Sequence, residues 1–240
     1  MIGIIGFGRF GRLMTQHLAR DFVVFVYNRS DKSTEIRQTG ARSASLETVC
    51  RQPYVILGVP ISHMRGVLKE VGPLLGAQTL VMDVCSVKSY PVRWMRELLP
   101  PSVSILATHP MFGPDSAADS LEDRKIVLCP ERIAAGLYRR IKSYLVSKGL
   151  IVIETTADEH DRQIAVSLAL THFIGRALAQ FGAPDLSIDT EGYKRLRHIL
   201  GVVEHDTWQL FDDMHRYNPY AKDNRTAFVQ ALQAVENRLA

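Results

Sequence analysis

Two stretches of the 240-residue chain carry side chains whose types and spacing could do chemistry. The first, Gly6-Phe7-Gly8-Arg9-Phe10-Gly11, is a G-x-G-x-x-G pattern between the apolar run Ile2-Gly3-Ile4-Ile5 and an amphipathic stretch. In that strand-to-helix setting Gly6 makes the tight turn, Gly8 lets a pyrophosphate approach the backbone, and Gly11 lets the helix pack on the strand. The helix N-terminus adds free N–H groups and partial positive charge for the phosphates. Phe7, Arg9 and Phe10 complete the candidate dinucleotide loop. The second stretch is Thr108-His109-Pro110-Met111-Phe112-Gly113-Pro114, which follows another apolar run. Ligands of open α/β sheets bind beyond the carboxyl ends of the strands, so a loop carrying His109 there would hold an acid/base near the reactive end of a cofactor.

The end of the second apolar run bears on cofactor choice. A carboxylate there would hydrogen-bond the ribose 2′-hydroxyl of NAD, but the chain reads Tyr27-Asn28-Arg29-Ser30, with no acid until Asp31. Asn28, Arg29 and Ser30 instead suit a 2′-phosphate, which a guanidinium can pair with while stacking on adenine. NADP is the expected cofactor; NAD is the alternative if Asp31 takes the ribose.

The elements that must position these groups follow from periodicity. Short β-branched runs at 2–5, 22–27, 54–59, 80–84, 104–107, 126–129 and 150–154 alternate with amphipathic stretches at 9–20, 61–75, 88–99 and 131–148. That alternation predicts an α/β fold, a Rossmann-type doubly wound parallel sheet over residues 1–154. From 155 to 240 the pattern is all-α. Thr156 to Gly182 reads as one helix, with Glu159 completing a capping box, and further helices are expected at 190–203, 205–217 and 222–239. The long helix is apolar on nearly every face, which a domain of about 85 residues cannot cover alone, so a homodimer through the C-terminal helices is expected.

Composition excludes several classes. With 46% hydrophobic and 22% charged residues the chain is neither disordered nor fibrous. Uninterrupted apolar runs such as Tyr54 to Pro60 fall short of the roughly 18 residues a membrane span requires, so no membrane is expected as a partner. The net charge of +4 is dispersed without a basic run, which favours anionic small molecules over nucleic acid. Cys50, Cys85 and Cys129 are odd in number and widely spaced, suggesting neither disulfides nor zinc. Met1 leads straight into the first strand without a signal-peptide pattern, and a cytoplasmic location is expected.

The string T-H-P-M-F-G-P, the G-F-G-R-F-G turn, Asp83-Val84-Cys85-Ser86-Val87-Lys88 and Glu159-His160-Asp161 leading to Leu170-Thr171-His172 together resemble the prephenate/arogenate dehydrogenases of tyrosine biosynthesis. The likeness extends through Thr190-Glu191-Gly192-Tyr193 and Met214-His215-Arg216-Tyr217-Asn218, and is greatest to the plant-type branch, whose second strand also ends in R-S. The resemblance implies a cyclohexadienol substrate, arogenate or prephenate, that loses hydride from C4 to the nicotinamide and CO2 from C1 as its ring becomes aromatic. It makes His109 the catalytic base, Ser86 its partner near the C4 hydroxyl, and His172 a second active-site histidine. It implies an arginine for the carboxylate, Arg195 or Arg197, and an aspartate beyond the H-P-M-F-G-P string, Asp119, to pair with the ammonium of arogenate. The chain shows no appended sensing domain, so tyrosine inhibition would be expected to act at the active site.

Three rival functions have weaker support. β-Hydroxyacid dehydrogenases and imine reductases share such an architecture, but the former use a lysine on the interdomain helix, and none occurs between Thr155 and Asp189. A metal site on His109, His160 and His172 lacks recognisable ligand spacing, and none is expected. A non-catalytic NADP sensor would have no use for His109, Ser86 and His172 together.

Overall fold

The computed structural model describes residues 1–204 and 206–239. Two compact units divide the chain between Ala157 and Asp158, three residues beyond the expected boundary. In the first unit the apolar runs form β1 (Ile2–Ile5), β2 (Val24–Tyr27), β3 (Arg42–Ser43), β4 (Tyr54–Leu57), β5 (Leu80–Asp83), β6 (Ser104–Pro110), β7 (Lys125–Arg132) and β8 (Ile151–Glu154). Between them run α1 (Arg9–Leu18), α2 (Ser33–Gln38), α3 (Leu46–Cys50), α4 (Ile61–Val71), α5 (Ser89–Leu98), α6 (Pro114–Ala117) and α7 (Ala135–Ser147).

The strands form one sheet in the order β3-β2-β1-β4-β5-β6-β7-β8. The chain leaves β1 towards β2 and later returns to β4 on its other side, which makes the end of β1 a topological switch point. Ile4, Val24, Val26 and Ile56 lie at the core of this half, with Met14 and Leu18 of α1 packed against them. A second cluster of Leu80, Leu106, Ile126, Leu128 and Leu150 is covered by Ile141 and Leu145 of α7.

The expected parallel sheet requires one correction, because β6 and β7 pair antiparallel. Their connection contains only the four-residue α6, too little for the crossover that a parallel return demands. The antiparallel ladder also lengthens β6 to Pro110, with His109 opposite Val127. His109 therefore stands on a strand, not on the loop expected to carry it. Elements α2, β3 and α3 had no counterpart in the periodicity, being two to six residues long and largely polar.

The second unit contains α8 (Ala157–Ile164), α9 (Thr171–Phe181), α10 (Glu191–Glu204), α11 (Trp208–Arg216) and α12 (Ala221–Leu239). The helix expected from Thr156 to Gly182 is broken in its middle by π-helical turns over Ala165–Leu170. There Ser167 Oγ donates to the Gln163 carbonyl and Thr171 Oγ1 to the Ser167 carbonyl, hydroxyl bonds that compete with the α-helical ladder. Gly182 ends α9 in the left-handed region at φ 74°, as a C′ glycine does. Gly175 allows α9 and α10 to approach: a Cβ there would lie 2.8 Å from Val203 Cγ1. His205, the expected first residue of the next helix, lies outside the described residues; α11 starts at Trp208, with Thr207 Oγ1 accepting from the Leu210 N–H.

Taken whole, the 25-residue run Ala157–Phe181 is long and apolar enough to cross a membrane by length and composition, which a count of uninterrupted apolar residues overlooks. Within its unit it packs on α10, α11 and α12, yet only 28% of its most apolar stretch is buried.

Candidate active site

The dinucleotide loop has the backbone its glycines were expected to provide. Gly6 sits at φ 103°, and a Cβ there would come within 2.3 Å of the Gly58 carbonyl oxygen. A Cβ on Gly11 would meet the Gly6 carbonyl oxygen at 2.5 Å, so any other residue would push α1 off the turn. Around Gly8, the N-cap of α1, a Cβ would meet nothing within 4 Å. No side chain caps this helix and no acid stands in its first turn, which leaves its N–H dipoles to an anion.

Asn28 braces the loop. Its Oδ1 accepts from the Phe7 N–H at 2.9 Å, while its Nδ2 donates to Ser30 O and Ser30 Oγ at 3.0 and 2.9 Å. The amide thus joins the end of β2 to the turn after β1 and fixes Ser30. Arg29 is exposed and makes no hydrogen bond or ion pair among the described residues. Asp31 is committed elsewhere: its carboxylate accepts from the Ser33 N–H at 2.9 Å, and that bond holds its pKa below the ordinary carboxylate value. Arg9 reaches across to Asp115 at 2.7 Å, linking the glycine loop to the segment after β6, and Phe10 packs on Phe112 with ring centroids 6.1 Å apart.

Beneath the carboxyl ends of β5 and β6 lies a buried ion pair that sequence reasoning passed over. Asp83 and Lys88 are fully buried and bonded to each other, and the Lys88 ammonium also donates to the Thr108 carbonyl. The Asp83 carboxylate accepts from the Cys85 N–H at 3.0 Å and the Thr108 N–H at 3.3 Å, and Thr108 Oγ1 donates to the Asp83 carbonyl. Ser86 follows Cys85, and His109 follows Thr108. One polar network therefore fixes the backbone beside both. Among the described residues Ser86 Oγ has no hydrogen-bond partner, and His109 is 6% exposed. The signal was present in the sequence: Lys88 is a cation inside an otherwise small and apolar stretch after a strand, five residues from an acid.

In the helical unit His172 is buried on α9, its Nε2 3.7 Å from the Asp206 carboxylate and its Nδ1 without a hydrogen-bond partner among the described residues. Burial holds its pKa below the ordinary imidazole value, and the Arg176 charge adds to this against the opposing pull of Asp206. His215 of α11 lies nearby, with Nδ1 2.9 Å from Arg225 Nη1 and its ring on Phe211 at 4.5 Å. Burial, with the Arg225 charge, pushes its pKa down to about 4. A guanidinium only donates, so His215 carries its proton on Nε2. At the start of the same unit His160 Nδ1 and Asp161 Oδ1 form a buried pair at 2.8 Å, and Asn218 donates to the Asp161 carbonyl. No group of three metal-ligating side chains occurs among the described residues.

Three expected residues remain, Arg195, Arg197 and Asp119. Arg195 is exposed on α10, and Arg197 pairs with Asp185 at 2.6 Å. Asp119 is exposed at the wall of a cavity of about 530 Å³ between α1, α7 and the sheet, which neither Ser86 nor His109 lines.

A glycine-braced phosphate loop at a sheet switch point, with histidine and serine fixed at the ends of neighbouring strands, defines a nicotinamide-nucleotide-dependent dehydrogenase. Residues 16–153 match the family model "Prephenate dehydrogenase, nucleotide-binding domain", and residues 177–240 match "TYRAAT1-like, C-terminal domain". Arogenate dehydrogenase 2, chloroplastic, from Arabidopsis thaliana is 32% identical over 99% of this chain, which spans 69% of that protein. Arogenate dehydrogenase 1 from the same plant is 31% identical over 99% of the chain, which spans only 39% of it. In fold, the chain resembles the prephenate dehydrogenase from A. aeolicus solved with hydroxyphenyl propionate and NAD+, at a TM-score of 0.78 and 19% identity over 98% of this chain and 89% of that one. The chain belongs to the prephenate/arogenate dehydrogenase family, a family of NAD(P)-dependent oxidoreductases.

Proposed function

We propose that this chain catalyses the NADP-dependent oxidative decarboxylation of arogenate, prephenate or both, giving tyrosine or 4-hydroxyphenylpyruvate. The observation that carries the reading is the buried Asp83–Lys88–Thr108 network, which fixes the backbone beside Ser86 and His109 at adjacent strand ends. The residues present fit the cofactor: Gly8 leaves open space before the uncapped start of α1, and Arg29, beside the braced Ser30, has no hydrogen bond or ion pair among the described residues. Gly6, Gly8 and Gly11, with the intervening Phe7, Arg9 and Phe10, would hold the pyrophosphate, and Asn28, Arg29 and Ser30 the ribose phosphate. NADP is favoured over NAD because the Asp31 carboxylate already accepts from the Ser33 N–H, and Arg29 has no ion pair among the described residues and can meet a phosphate. When bound, the oxidised cofactor supplies the acceptor for the C4 hydride.

The chain's own residues supply the rest. Ser86 Oγ holds the C4 hydroxyl and His109 accepts its proton as the C4–H bond breaks. The C1–CO2 bond then breaks, its electron pair enters the ring, and His109 returns the proton to the resulting phenolate oxygen. His172, kept neutral by burial, is a second hydrogen-bonding group for the ring substituents. Arg195 or Arg197 meets a carboxylate, and Asp119 pairs with the ammonium of arogenate. Each would have to come to the substrate from its present partner or from solvent.

The active form is a homodimer through the C-terminal helices. Among the described residues, ten of the fifteen large apolar side chains left exposed belong to the second unit, Val166, Phe181, Ile188 and Leu232 among them. A second copy of the same helices buries such a face through a two-fold contact. Three buried cysteines, none of them in a disulfide, suit the reducing cytoplasm. His109→Asn tests the chemical assignment: cofactor affinity should persist while kcat falls by about 10²–10⁴-fold. A kcat within a few-fold of the parent would assign the proton to another group.

A further inference from the structure

One cavity in the first unit is lined by neither Ser86 nor His109. The cavity of about 530 Å³ runs along the sheet between α1 and α7, a volume within the range of small-molecule sites. Most of its wall is apolar, with Leu13 and Met14 of α1, Met82 of β5, and Ile141, Tyr144 and Leu145 of α7, while Asp119 and Ser120 stand among the polar residues that line it. At its border Asp21 accepts from Tyr144 at 2.8 Å and pairs with Lys148 at 2.7 Å, and Phe22 packs on the Tyr144 ring. Lys148 is thereby neutralised. Two guanidiniums on the rim, Arg20 and Arg140, are exposed and have no hydrogen bond or ion pair among the described residues.

Largely apolar walls, with Arg20 and Arg140 outnumbering the one exposed carboxylate of Asp119 once Asp21 and Lys148 are paired, complement an apolar body ending in an anion. We propose that this cavity is a second binding site, distinct from the dinucleotide crevice, for an apolar carboxylate whose body lies over β5 and β6 and whose head meets Arg20 and Arg140. Side chains alternate between faces along a strand, so Thr108 and Pro110 line the cavity while the intervening His109 points to the other face. Val84, two residues before Ser86, and Phe10 of the glycine loop also line it. An occupant would therefore touch, from behind, each of the three segments that build the active site.

Calorimetric titration of the full chain tests this, using dodecanoate below its micelle concentration and 2-naphthoate as chain and ring probes. At least one probe should bind saturably at one equivalent, and the tighter of the two identifies the body that the cavity takes. Its uncharged alcohol should bind at least tenfold more weakly. The Arg20→Ala/Arg140→Ala double variant should lose about tenfold in affinity for the acid, and Leu145→Trp, which fills the cavity, should lose binding while keeping its Tm and its turnover. Absence of saturable binding by either acid would overturn the proposal. So would equal binding of acid and alcohol, or undiminished binding by Leu145→Trp.

Discussion

Lys88→Met isolates the network on which the site is built. The side chains of Lys88 and Asp83 are both fully buried, so removing the ammonium strands a carboxylate in the core and leaves the Thr108 carbonyl without its donor. Breaking a buried pair in this way costs about 3–5 kcal/mol, a substantial part of the roughly 5–15 kcal/mol that a folded chain has. For a chain of this size that corresponds to a fall in Tm of about 6–20 °C. Lys88→Met/Asp83→Asn should recover about 1 kcal/mol of the loss, because the introduced amide is uncharged and its single oxygen still accepts from one of the two N–H groups, that of Cys85 or that of Thr108. Urea denaturation followed by circular dichroism gives these energies, and the same preparations give kcat. Turnover should fall in both variants, since Ser86 and His109 follow residues that the network anchors. A Lys88→Met protein within about 1 kcal/mol of the parent, or a double variant no more stable than the single, would refute the reasoning.

Arg29→Ala should raise the KM for NADP far more than that for NAD; equal changes in steady-state kinetics with both cofactors would remove the 2′-phosphate assignment. Ile174→Glu, on the apolar α9, should lower stability and disrupt the dimer together by burying an unpaired carboxylate, and light scattering on the parent checks the premise. A stable, active parent near 26.9 kDa would show that one chain covers the helix. Stability should fall on acidification from pH 6.5 towards 4, because the unfolded His215 ring takes up a proton that the folded ring, with its pKa near 4, refuses. The loss approaches about 3 kcal/mol, and urea midpoints at pH 7 and 4.5 should differ less for His215→Gln than for the parent.

The dinucleotide turn was legible because its physics is local: a positive φ at Gly6 and close backbone at Gly11 demand glycine whatever the rest of the chain does. Gly182 was legible as a helix end for the same reason. The strand carrying His109 was not, because its last residues belong to β6 only through β7, a partner supplied about twenty residues later. Nor was the π-helical interruption, since apolar periodicity does not register hydroxyls that bond back to carbonyls one turn earlier. That the Asn28 amide also braces two strand ends was not legible, because the role exists only once β1 and β2 are paired. His215 stood within the family resemblance without a role, and only the packing of α11 against Phe173 and Arg225 half-buries it and lowers its pKa.

The central claim is that His109 and Ser86, fixed beside a bound NADP, aromatise a carboxylated cyclohexadienol. Its most direct test supplies arogenate and prephenate separately to the full chain with NADP+, following reduced-nicotinamide absorbance and CO2 release together. The account predicts that at least one substrate gives both signals in equal amount, and that His109→Asn suppresses both in parallel. Cofactor binding without turnover of either substrate, or nicotinamide reduction without release of CO2, would contradict it.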